Sequence, residues 1–292
     1  MGMLNNPGQR FRDALSKEQP LQIVGTINAL CAMQAARAGF HALYLSGAGV
    51  ANASHGLPDL GVTNLNDVVA DAQRIITSCS LPLLVDIDTG WGSELTIERA
   101  VRELEQVGAA AVHIEDQVNA KRCGHRPDKQ LVDIAEMQSR LQAAVGGKRD
   151  GIVIMARTDA ISVEGIDATI NRAHRYLEAG AEMIFAEAVE SLDDFRRLTR
   201  AIDVPILANL TEFGRTPSFT MEQLRSVGVR MALYPLTAFR AMNAAAHHAY
   251  ATVREHGTQQ SILHNLQTRE ELYDLLDYHT AERRQDRARK LS

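Results

Sequence analysis

The sharpest chemical signal in this sequence is a five-residue run, Lys121-Arg122-Cys123-Gly124-His125. It sets a thiol between cations and an imidazole, beside a glycine, where the protonation state of the sulfur is open to tuning. Such a thiol serves as a general acid, or its thiolate as a base, with Lys121 and His125 adjusting the proton's affinity. An inert buried cysteine fits this hydrophilic setting badly. Cys31, in an apolar helical stretch, and Cys79, at a helix end, are expected to be inert packing.

The second signal is acidic. Asp86 and Asp88 stand two apart in VDIDTG, a spacing that on a strand points both carboxylates to one face. Two convergent carboxylates with few other ligands suit Mg²⁺, which keeps several waters and leaves room for a substrate oxygen. The plainer alternative is an aspartate satisfied by a lysine or amide inside the fold. Gly90 and Gly92 loosen the following loop and weigh toward metal. Asp59 and Glu115 either bond to the metal's waters or hold structure. Arg157 is costly to bury without an anion, which is either a substrate carboxylate or Glu187 or Asp159. His113 reads as a hydrogen-bonded core residue, and His247-His248 as a solvated helix face.

These residues need a scaffold, and repetition names it. Four segments end a helical pattern in glycine and run into an apolar strand: RAGFHALYLSG, QVGAAAVHIED, EAGAEMIFAEA and SVGVRMALYP. Gly39, Gly108, Gly180 and Gly228 each suit a helix end that needs positive φ. Strand candidates begin near Leu21, His41, Pro82, Ala110, Ile152, Glu182, Pro205 and Met231, with helices such as Thr96–Val107, Asp133–Val145 and Ile166–Ala179 between them. Apolar strands alternating with amphipathic helices predict a parallel sheet covered by helices, and eight units close a (β/α)8 barrel. A doubly wound sheet usually stops earlier, and no G-x-G-x-x-G follows the first strand. Catalytic groups then belong at the C-terminal strand ends. There the sequence places Tyr44, Ser46, Gly47, the two aspartates, Glu115, Arg157, Glu187, Asn209, Leu210 and Thr211.

Residues 1–292 are expected to form one barrel domain, with 236–292 as a helical extension read as Leu236–His256 and Arg269–Lys290. A barrel needs roughly 250 residues, and the chain has 292. The net charge of −5 argues against a nucleic-acid partner. No apolar run reaches membrane-span length. The polar start, MGMLNNPGQRFRDAL, shows no export signal. Three sparse cysteines fit a reducing cytoplasm rather than a disulfide framework.

KRCGH, together with VDIDTGWG, HIEDQ, MARTDA and ANLTEFG, resembles the isocitrate lyase superfamily, to which phosphoenolpyruvate mutase also belongs. LQIVGTINA, LPDLG, GHRPDK, VEGIDATI, MALYPLTAFRAMN and GTQ make it resemble the methylisocitrate lyase branch, from about Pro7 to about Tyr278. Isocitrate lyases proper are longer. Phosphonomutases and oxaloacetate decarboxylases share the aspartates but not the cysteine loop.

The resemblance implies a barrel whose extra C-terminal helices swap between subunits of a homotetramer. It implies Mg²⁺, with Mn²⁺ as a substitute, on Asp86 and Asp88. A small tricarboxylate would meet Ser46, Gly47, Ala48, Asp86, Cys123, Gly124, Arg157, Glu187, Asn209, Leu210, Thr211, Arg240 and Arg269. Phe185 and Leu233 would line the space for its methyl. The family's S-G-G is Ser46-Gly47-Ala48 here and its F-P-E is Phe185-Ala186-Glu187; neither change removes a reacting group. The implied reaction is retro-aldol cleavage of (2S,3R)-2-methylisocitrate to pyruvate and succinate in the methylcitrate cycle of propionate catabolism. Cys123 would protonate carbon, and Tyr44 or a metal-bound hydroxide would take the hydroxyl proton. Alternatives are lyases acting on dimethylmalate or isocitrate, an oxaloacetate-decarboxylase-like enzyme, and a non-catalytic barrel.

Overall fold

The structure, a computed structural model, describes residues 6–119, 121–126 and 128–289. Eight parallel strands close a barrel in sequence order. They are β1 (Leu21–Gly25), β2 (Ala42–Leu45), β3 (Leu83–Asp86), β4 (Ala111–Glu115), β5 (Val153–Thr158), β6 (Met183–Ala186), β7 (Ile206–Asn209) and β8 (Met231–Tyr234). Closure is made by β1 on β8, with Leu21 opposite Met231 and Ile23 opposite Leu233. The alternation of strands and helices predicted this architecture, and all eight strand starts agree within one residue.

The strands are buried on both faces because helices cover the outside and side chains fill the inside. The inner cluster includes Tyr44, Leu84, Met155, Phe185, Leu207 and Leu233. It is continued by Phe11 and Leu15 of the helix Pro7–Lys17, which the sequence pattern does not mark. Several helices start where side chains cap them. Asn64 and Asp67 make a capping box, Asp133 accepts from the N–H of Glu136 at 2.8 Å, and Ser191 from that of Asp194 at 3.1 Å. Four stop at the expected glycines, with φ of 92° at Gly39, 100° at Gly108, 103° at Gly180 and 84° at Gly228. The glycine stops stand just before β2, β4, β6 and β8, at the end of the barrel opposite the mouth.

Two compact units divide the chain at Phe239–Arg240. The first carries the barrel. The second contains most of the helix Thr237–His256 and the helices Arg269–Leu276 and Tyr278–Arg289. The charged stretch expected as one helix over Arg269–Lys290 is therefore two. Asp277 breaks it with a φ of 50°, the left-handed conformation that closes a helix end. Lys290 lies outside the described residues. No helix among the described residues is long and apolar enough to cross a membrane.

Candidate active site

Asp86 ends β3, but Asp88 is not on the strand. The spacing argument for a shared strand face fails here, because Asp88 takes a φ of 48° in a left-handed turn. The carboxylates converge by another route. The N–H of Asp88 donates to Oδ1 of Asp86 at 3.0 Å, folding the turn back over it. Gly47 closes the other side: its N–H donates to Oδ2 of Asp86 at 3.0 Å. A Cβ on Gly47 would lie 2.9 Å from Oδ1 of Asp88, so glycine is what lets β2 meet the pair. Gly47, which the resemblance makes a substrate contact, thus has its N–H engaged by Asp86. Ser46 is buried beside it and Ala48 is half-buried.

Burial, then the charge of Asp86, pushes the Asp88 carboxyl up to about 6. Tyr44 is buried, with its hydroxyl 3.3 Å from Oδ2 of Asp86 and 3.0 Å from Nε2 of His113. Burial and Asp86 hold that phenol well above the usual tyrosine range. His113 is fully buried and hydrogen-bonded, as the sequence predicts.

Arg157 sits among three carboxylates. Nε is 3.0 Å from Asp159, Nη1 is 3.3 Å from Glu115, and Nη2 is 3.3 Å from Glu187. Its guanidinium lies 5.2 Å over the Phe185 ring. Asp159 and Glu187, the protein carboxylates named among the alternatives for its anion, both pair with it. Burial opposes ionisation of Glu187, yet Arg157 and His125 hold its carboxyl well below the usual range. Asn209, at the end of β7, donates to both Glu187 oxygens at 3.2 Å. Leu210 is buried and Thr211 half-buried beside it. Leu233 and Phe185 share the inner barrel cluster.

The cysteine segment lies across this cluster. Lys121 reaches both Asp59 and Asp88, 2.8 Å from Oδ1 of the latter. Burial opposes the ammonium, but Asp88, Glu115 and Asp59 hold it above the usual lysine range. The side chain of Gln117 clamps the backbone of Arg122 with two hydrogen bonds of 2.9 Å. His125 Nδ1 accepts from the N–H of Arg215 at 3.0 Å, which leaves Nε2 to donate to Glu187 at 3.1 Å. A Cβ on Gly124 would fall 2.5 Å from Nη2 of Arg157 and from Cγ of Glu187. Cys123, one residue away, is exposed, whereas Cys31 is buried and Cys79 half-buried. Beside Asp88 and Lys121 opens a cavity of about 300 Å³, lined also by Thr63, Asn64, Trp91 and Asn119.

The donor set answers the metal question in part. Around the mouth, Asp86, Asp88, Glu115, Asp159 and Glu187 are buried against the buried cations Lys121, Lys129 and Arg157. Two carboxylates are left over, and Oε1 of Glu115 has no hydrogen-bond partner among the described residues. Such a site fits one divalent cation bound through oxygen. No group of three or more His, Cys, Asp or Glu poised to hold a metal occurs among the described residues. The fit is therefore to an ion that keeps most of its waters. Arg240 and Arg269 belong to the second unit, and both are exposed.

The phosphoenolpyruvate phosphomutase family model matches residues 11–254. The chain belongs to that family. Within it, the chain is similar to 2-methylisocitrate lyase of Escherichia coli, 57% identical with 97% of this chain and 96% of that protein covered. Among solved structures it is similar to 2,3-dimethylmalate lyase, 32% identical, with a TM-score of 0.89 over 97% of this chain and 95% of that one. It is also similar to phosphonopyruvate hydrolase solved with oxalate and Mg²⁺, 26% identical, TM-score 0.84, covering 98% and 100%. The motifs that suggested the isocitrate lyase superfamily therefore place the chain correctly.

Sequence reasoning on this family member missed Lys129, Asp116 and Gln117. Lys129 and Asp159 form a buried ion pair at 2.8 Å. Asp116 accepts from Thr158 at 2.7 Å, from Tyr176 at 2.8 Å and from the N–H of Asp159 at 2.9 Å. Asp116 and Gln117 stood in view within HIEDQ, and Lys129 within GHRPDK. Their signal is weak because lysine, glutamine and aspartate in polar loops are usually solvated.

Proposed function

We propose that this chain cleaves 2-methylisocitrate to pyruvate and succinate, with Mg²⁺ as cofactor. The observation that carries this reading is the seating of the cysteine segment: Gly124 lies too close to Arg157 and Glu187 for any Cβ, while Lys121 reaches Asp88. A proton donor, a carboxylate-binding arginine and an oxygen-donor metal site then share one mouth. The 57% identity to 2-methylisocitrate lyase over nearly the whole chain supports the same substrate.

Asp86 and Asp88 would hold the ion, with Asp59 and Glu115 as partners of its waters. When bound, Mg²⁺ polarises the substrate's hydroxyl and an adjacent carboxylate. Arg157, Asn209 and Thr211 orient the other carboxylates and spread charge as the carbon–carbon bond breaks. The bonding pair passes to the carbon beside a carboxylate, and Cys123 delivers its proton there to give succinate. The carbinol proton leaves as the pyruvate carbonyl forms; Tyr44, whose phenol stays protonated, would pass it on to Asp86, 3.3 Å from its hydroxyl. Ser46, Gly47, Ala48 and Leu210 shape the mouth, and Phe185 and Leu233 make its apolar floor. Arg240 and Arg269 would complete the substrate's surroundings in a homotetramer whose helices beyond Leu236 pack on a neighbour. The enzyme would work in the cytoplasm as the lyase step of the methylcitrate cycle.

Pyruvate release from 2-methylisocitrate, with and without EDTA, tests this. Metal-dependent release of equal pyruvate and succinate is expected. Release of pyruvate and propionate from 2,3-dimethylmalate, with 2-methylisocitrate untouched, would make it the related lyase instead.

A further inference from the structure

The ammonium of Lys129 is buried, its side chain 1% exposed. It donates to Oδ1 of Asp159 at 2.8 Å and to the carbonyl oxygen of Gly124 at 2.6 Å. An unpaired ammonium is costly to bury, so Lys129 stays inside only while Asp159 meets it. Asp159 is itself fixed. Its N–H donates to Asp116, and its carboxylate accepts from Arg157 at 3.0 Å and 3.4 Å. One carboxylate therefore ties together the arginine expected to bind substrate and the lysine that grips the glycine beside Cys123.

We propose that Lys129 is a positioning residue that seats the cysteine segment over the Arg157–Glu187 pair, by bonding Asp159 and the Gly124 carbonyl at once. The proposal rests on reading Cys123 as the proton donor. Its two hydrogen bonds go to groups of the chain itself, the Gly124 carbonyl and Asp159. Without the ammonium, the Gly124 carbonyl loses a charge-assisted bond and the close approach at Gly124 is no longer enforced. The thiol would then be present but displaced, and small displacements of a reacting group cost on the order of 100-fold.

The test uses full-length, Mg²⁺-loaded enzyme carrying Lys129→Met, which keeps the unbranched apolar stem and lacks the ammonium. Two quantities are read: turnover of 2-methylisocitrate, and the rate of iodoacetamide alkylation at Cys123, located by mass spectrometry so that Cys31 and Cys79 do not interfere. The expected result is a fall in kcat of about 30-fold or more with KM within about threefold. Cys123 should be alkylated at least about fivefold faster, as expected of a released segment. Lys129→Gln, which can still donate to the Gly124 carbonyl, should recover part of both effects, and it replaces the methionine variant if that one does not fold. An alkylation rate within about twofold of the parent overturns the proposal whatever the turnover, and so does an unchanged kcat. Cys123→Ser tests the other reading separately. If it stays active the thiol is not the acid, while the alkylation rates of the Lys129 variants still decide whether Lys129 seats the segment.

Discussion

Lys121 holds its ammonium 2.8 Å from Oδ1 of Asp88. The segment that carries the thiol is thus tied by charge to the residue expected to bind Mg²⁺. A cation arriving at Asp86 and Asp88 meets a carboxylate already sharing its charge with lysine, so the metal and the segment's position are coupled. Asp88→Ala should raise the Mg²⁺ requirement and lower kcat by about 100-fold or more, the several kcal/mol a Lewis acid supplies. Pyruvate release across a Mg²⁺ titration measures both. Full activity in EDTA would remove the metal from the mechanism.

Cys123→Ser should lose about 100-fold or more in kcat, because a hydroxyl is a far weaker acid than a thiol. Cys123 is exposed, so the melting temperature should stay within a few degrees of the parent. A serine variant within about tenfold of the parent would take Cys123 out of the proton-donor role.

Leu233→Phe tests the methyl space. One methyl in a fitted apolar pocket is worth about 1–3 kcal/mol, or roughly 10–200-fold in kcat/KM. The parent should therefore prefer 2-methylisocitrate clearly while cleaving isocitrate in traces. Leu233 is fully buried, so the larger ring also strains packing by about 1–3 kcal/mol, and a thermal melt belongs beside the kinetics. A preference that shrinks supports the pocket, and equal losses on both substrates make Leu233 ordinary barrel packing.

At the opposite end of β6, Glu182 accepts from Lys148 at 2.6 Å and pairs with Arg12. Burial works against its ionised form, but these two cations win and hold the carboxyl below the usual glutamate range. A depressed folded-state pKa stabilises the protein above the unfolded value, near 4.3, and that stability is lost as pH falls through the folded value. Glu182→Gln should cost about 1–2 kcal/mol at pH 7 and progressively less below about pH 4. Chemical denaturation at several pH values reads the difference. A cost that stays constant into acid would assign it to packing.

Light scattering should give about four times the chain mass of 32.1 kDa at micromolar concentration. A monomer mass would contradict both the tetramer and the assignment of the helices beyond Leu236 to a neighbour.

The barrel was legible because its signals are local and repeated: a glycine stop, an apolar run, a polar strand end. The site was legible where residue type alone is unusual, as with a cysteine among cations or an arginine closing an apolar strand. Asp88 shows the limit. Its backbone leaves the strand that the two-residue spacing predicts, because a left-handed aspartate leaves no mark in side-chain periodicity. Lys129 shows another. Its burial depends on Asp159, thirty residues away in sequence, and on a carbonyl that every residue has. Arg269–Lys290 reads as one helix because a single αL residue costs little and needs no glycine.

Gly124 turns the site into a gauge of one atom. Where hydrogen stands on its α-carbon, a methyl would overlap both Arg157 and Glu187. A chain with alanine there would keep its aspartates, its arginine and its thiol, each chemically intact, but the cysteine segment could not come to rest on the floor beneath it. Such a protein would be a receptor built from an enzyme's parts, able to recognise the ligand and to hold it unreacted for observation.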